Sequence, residues 1–149
     1  MNRTKFDHIV KTARANGETP DLSRADLFQI NLSRTELAGI ILTGANLKGA
    51  YMVEADLRGA KMDNANLSSS YITRADLREA DLEGADLSGA SLTQSDLRGT
   101  NLKKADLVNT NLFGANLEGA DLTKAQADNE TTWPDQYDPV AAGVVITLY

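Results

Sequence analysis

The chain has no cysteine, a single histidine and no apolar stretch approaching the ~20 residues a bilayer span requires. Each absence closes off a class of function. Without thiols there is no disulfide framework, no thiolate nucleophile and no sulfur-ligated zinc. His8 flanks the apolar face of a predicted N-terminal helix and has no second histidine to join it in a triad or a zinc site. No Walker-type loop, dinucleotide fingerprint or basic-aromatic patch occurs. The opening MNRTKFDHIVKTARANG is basic but carries no apolar run of signal-peptide length, so the expected location is the cytoplasm. A net charge of −6 and a pI near 4.7 disfavour direct nucleic-acid binding while permitting a basic partner. No enzyme, cofactor, metal site or membrane insertion is expected.

What the chain does have is a period of five. A large apolar residue stands at every fifth position from Leu22 to Leu122, with no insertion or deletion: 21 positions, of which 18 are Leu and the rest Met52, Met62 and Ile72. A second series of 21, from Ala25 to Ala125, holds 14 Ala among Ile30, Thr35, Ile40, Ser70, Ser95, Thr100 and Thr110. The unit reads Ala-(Asp/Asn)-Leu-x-Gly, with Gly at nine of the last positions.

Neither regular element can use this spacing. In an α-helix five residues turn through ~500°, which smears the leucines around the surface. In a flat strand an odd period sends successive leucines to opposite faces. The two series lie two residues apart within a unit, as in a short extended piece, and three apart between units, so the extra residue belongs to a bend at x-Gly. One bend per unit, always in the same sense, winds a coil with Ala and Leu inside each side. Coils stacked at ~4.8 Å then pair their backbones above and below. With four sides, residues 20 apart form columns. The column Ala25, Ala45, Ala65, Ala85, Ala105, Ala125 is then all alanine, and Asp56, Asp76, Asp96 align, as do Arg58, Arg78, Arg98.

On these residues, about 21 to 127, the chain resembles the pentapeptide-repeat proteins, whose pattern is A-(D/N)-L-x-x. The resemblance implies a right-handed quadrilateral β-helix, here an all-β solenoid of about five coils. The segment TTWPDQYDPVAAG, 131 to 143, is similar to C-terminal extensions of cyanobacterial members. Three parts are expected: a capping α-helix over 1–19, the coil over 20–127 and an irregular C-terminal cap over 128–149.

The ends need covers, because an open end coil exposes leucines and unpaired strand groups. Phe6, Ile9, Val10 and Ala13 recur at helical spacing, with Thr4 as the expected N-cap and Gly17 and Pro20 as stops. Ile30 and Ile40 suit the first coil beneath that helix. Trp133, Pro134 and Tyr137 suit a cover over Leu117 and Leu122, and the apolar AAGVVITLY either folds back over its own coil or pairs with a second chain, giving a monomer or a tail-linked dimer.

Some relatives are acidic rods that imitate DNA and occupy DNA gyrase. Outward charge tests that reading. Naming the four sides by Leu22, Leu27, Leu32 and Leu37, the first side carries five acidic and five basic residues. The second has Asp26, Asp86 and Asp106 against Lys48, and the third Arg34 and Arg74 against Glu54. The fourth has Glu36, Asp56, Asp76, Glu79, Asp96 and Glu118 against three arginines. A duplex ~25 Å long would carry about fifteen charges, so even the most acidic side is a poor imitation. A metal held by the Asp56, Asp76, Asp96 stack is opposed by the arginines beside it. The third side stands out by its Tyr51, Val53, Tyr71 and Phe113, the expected contact residues for an unidentified protein partner.

Overall fold

The computed structural model describes residues 1–148, so Tyr149, the last of the apolar tail, lies outside the described residues. Its elements are α1 (Arg3–Ala15), β1 (Gln126–Asp128) and β2 (Val145–Thr147), with the repeat between α1 and β1. Throughout the repeat, parallel bridges join residues 20 apart, from Asp21↔Ile41 to Asp106↔Gln126. Four five-residue sides therefore make one coil.

Every unit turns its corner in the same way. The N–H of the small residue returns to the carbonyl three residues back, as in Ala45 to Leu42 at 2.9 Å, and the residue between x and the small one has positive φ. That is a type II turn, whose third position favours Gly. Nine units have it there, and the others hold polar residues such as Arg24, Asn64 and Glu79 in the left-handed region. Two pairings then tie each side to the coil above: Leu42 N–H to the Lys61 carbonyl at 2.7 Å, and Gly44 N–H to that of Asp63 at 2.9 Å. Inside, Leu27 through Leu112 are sealed from solvent, and the alanine column from Ala45 to Ala125 is buried. Where a hydroxyl replaces alanine it finds a carbonyl: Thr100 donates to Leu77 at 2.9 Å and Thr110 to Leu87 at 2.8 Å. Buried polar groups thus cost little, since each is hydrogen-bonded.

At the N-terminal end α1 lies across the first coil. Its N-cap is Asn2, whose side chain accepts the Lys5 N–H at 2.9 Å, in place of the expected Thr4. It ends in a Schellman turn: Glu18 N–H to Ala13 at 2.9 Å and Gly17 N–H to Arg14 at 3.0 Å, with Gly17 at φ +72. Phe6 and Val10 are buried in one cluster with Ile30 and Ile40. Cations complete the cover. The Asn31 and Glu36 carbonyls, which in later coils accept leucine N–H groups, here accept Arg3 at 2.6 Å and Arg14 at 2.8 Å, and the amino group of Met1 reaches Asp26.

At the other end the ladder runs past 127, the expected limit, with a one-residue slip: Asn111 pairs with Thr132. The Asp128 carboxylate absorbs the slip by accepting the N–H groups of Asn109 and Glu130 at 2.9 and 3.2 Å. The Thr131 hydroxyl donates to Leu107 at 2.8 Å. The tail then returns, and β2 pairs parallel with β1 of its own chain, Gln126↔Val145 to Asp128↔Thr147.

Candidate interaction surface

The outward residues sit in columns whose rungs are one coil apart. Fifteen units begin with Asp or Asn, and in each the side-chain oxygen accepts the N–H two residues on. This Asx bond pins the start of every turn it serves. Six units give it up, those of Glu36, Ile41, Tyr51, Lys61, Tyr71 and Ser91.

On the third side two of those six are tyrosines. Tyr51 and Tyr71 are exposed and stacked, with ring centroids 4.9 Å apart and planes within 6°. Beside them Val53 is half-buried, and Glu54 is held between two guanidinium groups, Arg34 at 2.8 Å and Arg74 at 2.7 Å. Those hydrogen bonds keep the Glu54 carboxyl below the usual carboxylate range. Phe113 is exposed on the same side but two coils from Tyr71, with Ser91 and Thr93 between. The tyrosines, Val53 and the Arg34–Glu54–Arg74 clamp form one patch, and Phe113 stands apart from it.

The fourth side is an ionic ladder. Arg58 grips Asp56 with two bonds, 2.8 and 2.6 Å, and reaches Asp76 at 3.7 Å. Arg78 repeats this with Asp76 and Asp96, and Arg98 closes on Asp96 at 2.6 Å. The arginine bonds hold all three aspartates below the ordinary carboxylate range against the opposing effect of partial burial, and raise Arg58. The open groove there, about 480 Å³ and lined by Arg58, Gly59, Arg78, Glu79 and Arg98, has its three arginines already paired with aspartates. Among the described residues no group of three His, Cys, Asp or Glu is placed to hold a metal ion. His8 lines a surface groove with Ile9, Thr12 and Glu18, apart from both sides.

Sequence reasoning missed Phe28, on the second side, which is 51% exposed. At the C-terminal end Val145 and Leu148 of the apolar tail are exposed, as is Val140 just before it. The signal for Phe28 was its outward place, one residue after Leu27, the same place that singled out Val53 and Phe113.

The pattern "Pentapeptide repeats" matches residues 21–59, 50–89 and 90–126, in eight copies. The chain belongs to the pentapeptide-repeat family. Members form right-handed β-helices, and several solved proteins that this chain resembles come from cyanobacteria. HetL of Nostoc sp. PCC 7120, a pentapeptide-repeat protein involved in heterocyst differentiation regulation, is 27% identical, with a TM-score of 0.79 over 90% of this chain and 57% of HetL. The chain thus spans little more than half of HetL's length. Rfr23 of Cyanothece 51142 is 27% identical, with a TM-score of 0.77 over 86% of this chain and 99% of its own. The protein alr5209 of Nostoc PCC 7120 is 33% identical over 95% and 94%, with a TM-score of 0.52. No curated protein matches the chain. Among the described residues no helix is long and apolar enough to cross a membrane.

Proposed function

We propose that this pentapeptide-repeat protein is a non-enzymatic cytoplasmic scaffold of about five coils, covered by α1 at its N-terminal end and in part by its own tail at the other, that binds a protein partner through its third side. One observation carries the reading. At Tyr51 and Tyr71 the repeat abandons the Asx bond that its fifteen Asp and Asn units make and places two exposed, stacked aromatics instead. A local rule broken without a packing reason in the core is the mark of a functional position. Tyrosine offers large contact area with a polar tip and few rotamers to freeze. Val53 and the Arg34–Glu54–Arg74 clamp extend the patch, and Phe113 is a separate, outlying contact.

Gyrase inhibition by DNA mimicry is the second reading. It is disfavoured by the fourth side, whose aspartates are neutralised by arginines in a continuous ladder. A supercoiling assay separates the two, with inhibition that fades with salt favouring mimicry. The direct test is the Tyr51→Ser/Tyr71→Ser double variant. It is expected to melt like the wild type yet lose about tenfold or more in affinity for any partner captured by the wild type, the usual cost of truncating aromatic anchors. Unchanged binding clears the third side of the role.

A further inference from the structure

The net charge of −6 is concentrated at one end. Residues 1–104 hold fourteen acidic and fourteen basic side chains, whereas residues 105–149 hold seven acidic ones against Lys124 alone. The tips have opposite sign. Residues 1–19 carry Arg3, Lys5, Lys11 and Arg14 against Asp7 and Glu18, and residues 128–149 carry Asp128, Glu130, Asp135 and Asp138 with no cation. The tips are ~25 Å apart, more than two Debye lengths at 0.1 M salt, so each presents its own field to a neighbour.

Their surfaces differ in kind as well. Between α1 and the first coil runs an open groove of about 550 Å³, faced by Arg3, Asp7, Lys11, Arg14, Arg34 and Glu36. Asp7 is taken up by Arg3 at 2.7 Å, which leaves the groove a surplus of cations. The C-terminal tip is incompletely covered. Val140, Val145 and Leu148 are exposed, the outer edge of β2 is unpaired, and the Leu117 and Gly119 N–H groups have no partner among the described residues. Glu130, Asp135 and Asp138 stand around it exposed, none in an ion pair among the described residues.

We propose that the C-terminal tip of one copy docks against the N-terminal groove of the next, with Glu130, Asp135 and Asp138 facing Lys11, Arg14 and Arg34. Charge selects this arrangement over pairing of two tails, which would press two sets of carboxylates together. A head-to-tail contact is heterologous and leaves a free tip at each end, so it builds open chains of copies rather than a closed dimer. Only Arg34, which also holds Glu54 at 2.8 Å, is common to this groove and the third-side patch; neither Tyr51 nor Tyr71 lies on the docking surfaces.

Sedimentation velocity on the full chain tests it, with two double variants at exposed positions, Lys5→Glu/Lys11→Glu and Glu130→Lys/Asp135→Lys. The wild type is expected to form a concentration-dependent series of species, weakened about tenfold or more as salt rises from 0.1 M to 1 M and the Debye length shrinks from about 10 Å to about 3 Å. Each variant alone should be monomeric with an unchanged melting curve, and an equimolar mixture should associate again, because the reversed tips complement one another. Two results overturn the proposal: a monomer at every concentration in low salt, or a closed dimer that Lys5→Glu/Lys11→Glu leaves intact, which assigns self-association to the tails.

Discussion

Aspartates stacked on successive coils repel one another unless something lies between them, and at Asp56, Asp76 and Asp96 the arginines do. The arginine bonds depress these carboxyls, so the folded state binds fewer protons than the unfolded chain near pH 4. The stability they contribute is complete above the unfolded carboxylate pKa of about 3.9 and is lost as pH falls through the lower folded values. Asp76→Asn keeps the acceptor for the Arg78 N–H but removes the charge. It is expected to cost at most about 1 kcal/mol at neutral pH, since exposed pairs are screened, and to flatten the loss of stability below about pH 4. Urea denaturation at several pH values reads both. At this scale much was legible: the alignment of Asp and Arg columns follows from a 20-residue coil, and so does the Tyr51–Tyr71 stack. The Arg34–Glu54–Arg74 clamp was not, because the direction in which a long side chain reaches is set by rotamers and neighbours that spacing does not encode.

The elements at the two ends were less legible than the repeat between them. Asn2 and Thr4 are both good N-cap residues, and the choice fell to Asn2, one turn ahead of Phe6, whose burial fixes how α1 seats on the coil. The slip at Asp128 was hidden because one inserted residue destroys the phase on which the repeat is recognised, while the pairing survives through a carboxylate and a hydroxyl. Phe6 is fully buried between α1 and the first coil. Phe6→Ala is expected to destabilise by about 3–5 kcal/mol, with α1 releasing first, because Arg3 and Arg14 hold the coil edge only while the helix is seated. Amide exchange should show early loss of protection over residues 3–18, ahead of the middle coils. Loss in the middle coils first would mean that α1 does not depend on Phe6 for its position.

At the scale of the whole molecule, one register divides every residue between a sealed interior and four outer sides, and the interaction surface exists only because of it. Leu77 is fully buried, whereas Tyr71, six residues earlier, is 48% exposed. The same charge placed at each position must therefore have opposite consequences. An aspartate at 77 would enter a dry core without a partner, while one at 71 would restore the Asx turn of the other units. Thermal unfolding of Leu77→Asp and Tyr71→Asp, followed side by side with the wild type by circular dichroism, tests the register most directly. The expected result is an unfolded Leu77→Asp and a Tyr71→Asp that melts within a few degrees of the wild type, as a surface change of about 0.5 kcal/mol or less would give. A cooperatively folded Leu77→Asp, or an unfolded Tyr71→Asp, would contradict the assignment of inside and outside on which the proposed surface rests.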